Sequence, residues 1–273
     1  MEINRKTRSV LFGGMDRHDS VYCCRKHGGW TGPWFFDPDT GKAIGNPVCP
    51  ECKKEDEARI RQENAIAVTN YLIEETLLDI GVPELSKTCR LENYIASTDV
   101  QREKAETIRR FVEDRYPTTL VFYGLTGSGK THLAVSALAI VIRKAIAEKK
   151  SEGNIRYVKA SELFRDFKSA MNSKRGGLTE NQVMYQYENY KMLVIDELGR
   201  FMAGDYNVMI LQEILTYRIE NDFKTIIIKN GDLKSVLEIL GEHNVSRLKE
   251  CGMSVMFNEP DWRTTHRRTD NDG

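Results

Sequence analysis

The chain has 273 residues, 40% of them apolar, and its 40 Lys plus Arg are matched by 40 Asp plus Glu. That length gives room for about two domains with packed cores, and the charge balance excludes a global field that would by itself draw nucleic acid or an anionic membrane. No apolar run approaches the length that spans a bilayer, and Met1 to Thr7, followed only by Val10, Leu11 and Phe12, lacks a signal-peptide core, so a cytoplasmic protein without membrane partners is expected.

Six cysteines in such a compartment point to thiols or metal ligands rather than disulfides, and four of them fall within the first 52 residues. Cys24 and His27 form a Cys-x-x-His pair, and Cys49 and Cys52 a Cys-x-x-Cys pair, separated by a span rich in glycine and aromatics. Two knuckles and a hairpin suit a small zinc ribbon, in which Cys24, His27, Cys49 and Cys52 close a tetrahedral Zn²⁺ site with no open position for chemistry. Cys23 adjoins Cys24 and is an alternative ligand. Lys53 to Ile80 reads as a helix stopped at Gly81-Val82-Pro83. Cys89 and Cys251 have no second ligand at metal spacing and read as small buried residues.

A βα alternation follows. Ala105, Ile108, Phe111 and Val112 line one face of a helix over Gln101 to Asp114, and Thr118 to Tyr123 is an apolar strand. Next comes Gly124-Leu-Thr-Gly-Ser-Gly-Lys-Thr131, a match to G-x-x-x-x-G-K-[ST] that leads into a helix striped by Leu133, Ala134, Ala137, Leu138, Val141, Ile142 and Ala145. The strand before and the helix after are the context a phosphate-binding loop requires. Its expected ATP-binding set is Gly124, Thr126, Gly127, Ser128, Gly129, Lys130, Thr131 and His132. Lys130 would reach the β- and γ-phosphates, and Thr131 would ligate Mg²⁺.

Asn154 to Lys159 is a short strand, Ser161 is expected to cap the next helix, and Thr179 with Gln182 forms a capping box for another. Met192 to Ile195 is an apolar strand that delivers Asp196 and Glu197 at its end. After a phosphate-binding loop these read as a Walker B pair: Asp196 holds Mg²⁺ and Glu197 polarises the attacking water. A helix over Val208 to Asn221 precedes a strand from Lys224 that ends at Asn230. Asn230 suits either contact with the water or γ-phosphate, or a cap on the helix that begins near Asp232. Two further helices, a strand over Met253 to Phe257 and a polar tail complete the chain.

With these motifs in place, Cys89 to Arg263 resembles the DnaC/IstB-type AAA+ ATPases, and in particular the DnaC-like helicase loaders. The resemblance is carried by Cys89-Arg-Leu-Glu-Asn-Tyr94, the loop from Gly124 to Ala134, Leu193-Val-Ile-Asp-Glu-Leu-Gly199, Asn230, Ser246-Arg-Leu248 and Asp261-Trp-Arg263. It implies an α/β fold with a five-stranded, mainly parallel sheet. It assigns Asn230 as sensor 1, Arg247 as an arginine finger on a neighbouring subunit, and Arg263 as sensor 2. Lys229 and Trp262 depart from the usual Ser and Tyr. The Cys/His knuckles are similar to those of a zinc-bearing subset of DnaC-like proteins, bacterial or phage-borne. The implied organisation is a zinc-binding domain and helix over 1–85, an ATPase domain over 86–263 and a tail over 264–273. The implied activity is that of an ATPase which binds a DnaB-type replicative helicase and assists its loading onto single-stranded DNA. ATP-dependent self-association goes with it. An IstB-like transposition helper is the alternative, and a P-loop kinase a more distant one.

Overall fold

The computed structural model describes residues 17–36, 43–44, 48–151, 153–172, 177–199 and 204–262. Contacts within the chain group it into two compact units, Met1–Val68 and Thr69–Gly273. In the first, β1 (Arg17–Cys24) and β2 (Gly28–Phe36) form an antiparallel hairpin, and β3 (Ala43–Ile44) joins it on the far side of β2. The turn between β1 and β2 holds Gly28 at φ 79°, a left-handed conformation open to glycine. Trp30 lies across Gly32, where a Cβ would meet its ring at 2.2 Å. The side chains of Trp34, Phe35 and Phe36 lie outside the described ones.

Helix α1 (Pro50–Asp79) starts in the first unit and ends in the second. Its early turns are charged and solvated, with ion pairs such as Arg59 to Asp56 and Glu63. Ile73 and Leu77 are fully buried, Val82 beyond the helix is nearly so, and the Tyr157 N–H donates to the Ile80 carbonyl at 2.9 Å. The sequence division at residue 85 follows the Gly81-Val82-Pro83 break, but the grouping of contacts falls at Val68.

The second unit is a sheet of five parallel strands, β4 (Thr119–Gly124), β5 (Ile155–Lys159), β6 (Met192–Asp196), β7 (Lys224–Asn230) and β8 (Gly252–Phe257), in the order β5-β6-β7-β4-β8. Strands buried on both sides need apolar residues at successive positions, which is why Leu120, Val121 and Phe122 or Leu193, Val194 and Ile195 run without a polar break. Leu120 and Phe122 meet the end of α1, α2 (Asp99–Glu113) and α3 (Lys130–Glu148) on one face. Val121 meets α4 (Ala160–Asn172), α5 (Glu180–Asn189), α6 (Asp205–Glu220) and α7 (Leu233–Cys251) on the other. This is the α/β fold with a five-stranded parallel sheet that the resemblance implies, built in three layers.

Three local features differ from the sequence reading or sharpen it. Strand β5 passes into α4 at Ala160 with no loop between them, so Ser161 lies inside the helix instead of capping it. The two expected C-terminal helices are continuous except at Gly241, where φ 77° and ψ 155° break the helical geometry. The capping box of Thr179 and Gln182 forms as read. Cys89 and Cys251, expected to be buried, are half-buried free thiols packed at the edges of the two apolar layers.

One buried cation ties the second apolar face together. Arg218 is fully buried and donates to Thr225 Oγ1 at 2.9 Å and to the carbonyls of Tyr187, Glu188, Tyr190 and Lys224 at 2.7 to 3.2 Å. Burial lowers its pKa to about 9. Arg218→Leu should destabilise the protein by about 3 kcal/mol or more, because several carbonyls lose their donor inside the core. Urea unfolding measures this, and a loss below about 1 kcal/mol would contradict the assignment.

Candidate functional site

Parallel strands leave their C-terminal ends along one edge, where a ligand can meet loops and helix N-termini together. At that edge β4 ends in Gly124, and the loop to Gly129 turns straight into α3. The sequence requires this bend: a Cβ on Gly124 would lie 2.0 Å from the Phe257 carbonyl oxygen, and one on Gly127 1.8 Å from Asp261 Oδ1. The segment after β8 runs along the loop, with Leu125 N–H donating to the Phe257 carbonyl and Trp262 N–H to the Gly127 carbonyl. Lys130 is 5% exposed, and its ammonium donates to the carbonyls of Gly124 and Leu125, while Ser128 Oγ donates to the Leu125 carbonyl. Burial lowers the Lys130 pKa. His132, in the first turn of α3, is hydrogen-bonded through Nε2 to the Arg90 carbonyl at 2.9 Å.

Asp196, at the buried end of β6, lies against this loop. Its Oδ2 accepts from Thr131 Oγ1 at 3.0 Å and from the Tyr157 hydroxyl at 2.5 Å, and its Oδ1 accepts from the Glu197 N–H at 2.6 Å. Burial, with the Asp196 charge after it, pushes the Tyr157 hydroxyl well above the ordinary phenol range, so it stays a donor. Glu197 leaves the strand with φ 57° and accepts from Lys159 Nζ at 2.9 Å. Asn230 is exposed at the end of β7, level with Gly124 in the adjacent strand. It does not cap α7; the Asp232 side chain does, accepting from Ser235 N–H at 2.8 Å.

Gly124 to His132, Asp196, Glu197 and Asn230 are therefore gathered at one edge of the sheet. Arg247 is not with them. It pairs with Glu220 at 2.8 Å, one turn before Cys251, whose carbonyl accepts from Thr118 N–H at the start of β4. Arg263 lies outside the described residues. Sequence reasoning missed Tyr157 and Lys159, because the pairing of β5 with β6, which sets Lys159 level with Asp196, is not written in either strand.

Residues 85–256 match the bacterial DnaA ATPase domain. The chain belongs to that family. It is 26% identical over 188 residues to the replicative helicase loader DnaC of Escherichia coli K12, covering 67% of this chain and 73% of that protein. Against the replicative helicase loader DnaC of Buchnera aphidicola subsp. Acyrthosiphon pisum it is 26% identical over 198 residues, covering 71% and 77%. A crystal structure of the DnaC helicase loader superposes with a TM-score of 0.52 at 28% identity, covering 64% of this chain and all of that one. The AAA+ expectation thus holds for this DnaC-type ATPase. Among the described residues no helix is long and apolar enough to cross a membrane.

Outside the family match, this DnaC-type ATPase brings Cys24, His27, Cys49 and Cys52 together, with ligand atoms all within 4.8 Å of one another. His27 Nδ1 lies 3.8, 3.6 and 3.4 Å from the sulfurs of Cys24, Cys49 and Cys52, and Cys24 and Cys52 are 3.6 Å apart. Those four of the six ligand–ligand separations match the edges of a tetrahedron around Zn²⁺, roughly 3.4 to 3.8 Å for ordinary Zn–N and Zn–S bonds. Backbone N–H groups of Lys26 and His27 lower the Cys24 pKa to about 6, and Cys24 in turn pushes Cys52 up to about 11. Thiolates this close oppose one another's ionisation unless a cation lies between them. Glu55, also missed in the sequence, sits behind the ligand: Oε1 is 3.2 Å from His27 Nε2, and Oε2 accepts from Lys26 Nζ at 2.5 Å. A carboxylate there fixes the tautomer that leaves Nδ1 free for a metal. Cys23 is exposed and outside the cluster.

This donor set leads to a metal prediction. Elemental analysis of freshly purified chain should find about one zinc per chain, lost in Cys24→Ser and kept in Cys23→Ser, with Glu55→Gln weakening it about tenfold to hundredfold. The reverse order of the two cysteine variants would move the ligand to Cys23.

Proposed function

We propose that this chain is an ATP-controlled helicase loader that binds a DnaB-type replicative helicase and assists its placement on single-stranded DNA. The similarity to DnaC loaders, spread over about two thirds of the chain, carries the reading. Thr131 and Asp196, 3.0 Å apart, are the pair to hold Mg²⁺. The group supplies charge neutralisation at the β- and γ-phosphates when bound. Lys130 clamps those phosphates, Glu197 orients and polarises the attacking water, and Asn230 stands beside it at the end of β7. Arg263 keeps its sensor 2 assignment from resemblance.

Arg247 acts in trans in this reading, and the topology supports that. It sits near the strand starts, whereas the phosphate loop sits at the strand ends; β4, six residues long, sets them roughly 20 Å apart. An arginine so placed can serve a γ-phosphate only in a neighbouring subunit, which makes self-association part of the proposal. Single-stranded DNA contact is assigned to the assembled ATPase units. Lys174 and Arg175, a basic pair in the sequence suited to such contact, lie outside the described residues.

The N-terminal unit, with its zinc site and the half-exposed Ile60, Ile66 and Val68 of α1, is the arm assigned to the helicase. The IstB-like alternative shares every core motif and differs in partner, so partner capture decides between them. A kinase would need a phosphoryl acceptor in place of the water that Glu197 is suited to polarise.

For the nucleotide site, Lys130→Ala should lose ATP binding, whereas Glu197→Gln should keep it and lose turnover by about a hundredfold or more. Equal loss of binding in both would contradict this division of roles. For the partner, the full chain should co-purify with a DnaB-type helicase more strongly with ATP than without. A shortened chain beginning at Thr69, which retains Ile73, Leu77 and Val82, should stay folded and bind ATP yet fail to capture helicase. Undiminished capture by the shortened chain would move the contact to the ATPase unit.

A further inference from the structure

Strand β5 buries Tyr157 in the apolar layer that faces α3, where the residue is 1% exposed. Packing alone would be served by a phenylalanine, and a hydroxyl taken out of water there is costly unless it is paired. Its partner is Asp196 Oδ2, at 2.5 Å. The register explains why the residue is a tyrosine. Tyr157 stands opposite Val194 of β6, and Asp196 lies two residues further along the same face. That is roughly 7 Å of strand, a span that a phenol covers and that serine or threonine does not.

The hydroxyl is carried on a fixed mount. The Tyr157 N–H donates to the Ile80 carbonyl at 2.9 Å, and a Cβ on Gly81 would lie 2.5 Å from the Tyr157 carbonyl oxygen. The strand is therefore held on its outer edge by the residues that follow α1 and on its inner edge by β6. At the target, three donors take the two oxygens of Asp196. Oδ2 accepts from Tyr157 and from Thr131 Oγ1, and Oδ1 accepts from the Glu197 N–H. An aspartate carboxylate turns about two single bonds when it is free. Gripped at both oxygens, it keeps Oδ2 beside Thr131, the other hard oxygen donor of the pair assigned to Mg²⁺.

We propose that Tyr157 is a positioning residue for the metal-binding carboxylate, and that its hydroxyl sets the affinity of the nucleotide site for Mg²⁺. The hydrogen bond acts in two opposed ways. It draws some charge from Oδ2, which weakens attraction for a cation, and it removes in advance the freedom that binding would otherwise have to remove. Orientation wins, because losing a hydrogen bond behind a metal ligand lowers affinity by about tenfold to hundredfold. The inference rests on the Thr131 and Asp196 pair proposed above and adds the residue that aims it.

The test compares the full chain with Tyr157→Phe, which keeps the ring in its layer and the backbone bond to Ile80. Mn²⁺ stands in for Mg²⁺, and its binding is read from the loss of the free ion's electron paramagnetic resonance signal, with ADP and without it. ADP binding is also measured with no divalent ion added. In Tyr157→Phe the ADP-dependent Mn²⁺ site should weaken about tenfold or more, with metal-free ADP affinity unchanged. Adding Tyr157→Phe to Asp196→Asn should lower Mn²⁺ affinity no further, because the hydroxyl acts through that carboxylate. Mn²⁺ affinity in Tyr157→Phe equal to or tighter than that of the unaltered chain would overturn the inference and leave the nucleotide site standing. An equal fall in Mn²⁺ binding and in metal-free ADP binding would overturn it too, since a tyrosine that only supports the fold weakens both. If Tyr157→Phe loses its cooperative urea transition, restoration by Asp196→Asn supports the inference, because the hydroxyl is then needed only where that charge is present. Failure to restore it counts against the inference. An unaltered chain that binds ADP but gains no Mn²⁺ site with it would remove the Mg²⁺ pair, and the inference with it.

Discussion

The Asp196 carboxylate is the constraint around which the nucleotide edge is organised. It is 6% exposed, and a charge so placed persists only if its lone pairs are used. Three donors from three places use them: Thr131 at the start of α3, the Tyr157 hydroxyl on β5 and the N–H of Glu197 just past β6. Each donor is held by backbone that belongs to a different element, so the carboxylate fixes the helix N-terminus and two strand ends relative to one another. Glu197 inherits its position from this arrangement. The hydrogen bond to Asp196 Oδ1 accompanies its left-handed φ of 57°, and its own carboxylate then reaches Lys159, which stands level with Asp196 across β5.

The two units are held by different physics. The ATPase unit has an apolar layer on each face of its sheet, and within one of them Arg218 satisfies carbonyls at the end of α5, just after it and on β7. The N-terminal unit is a three-stranded sheet with a Cys/His cluster, and a structure that small gains little from apolar burial. A tetrahedral cation would supply what its core does not. Glu55, ion-paired with Lys26, meets His27 Nε2 and so orients the one nitrogen ligand.

What the sequence disclosed and what it withheld follow the range of the interactions. The phosphate loop, the carboxylates after β6, the capping box at Thr179 and the apolar strands were all legible, because each is set by residues within one turn or one strand. The partners of Asp196 and Glu197 on β5 were not, since they follow from strand order in a parallel sheet. Arg218 was passed over for the same reason: its acceptors lie up to 31 residues away along the chain. Of Cys23 and Cys24 the hairpin places Cys24 in the cluster: its register sets Cys24 opposite Gly28 at the turn, and successive residues of a strand point to opposite faces, so Cys23 is carried away. The cap expected at Ser161 failed because β5 feeds α4 directly, leaving no non-helical residue for a cap to occupy.

The segment after β8 and the phosphate loop hold one another in place. Leu125 N–H bonds to the Phe257 carbonyl, and Trp262 N–H to the Gly127 carbonyl, so both ends of this segment are tied to the phosphate loop by backbone. Between the ties stand Glu259, clamped by Lys104, and Asp261, in contact with Gly127 at a point where no side chain would fit. At Gly124 the approach is backbone to backbone, so no residue larger than glycine fits there and the loop and the segment after β8 must be placed together.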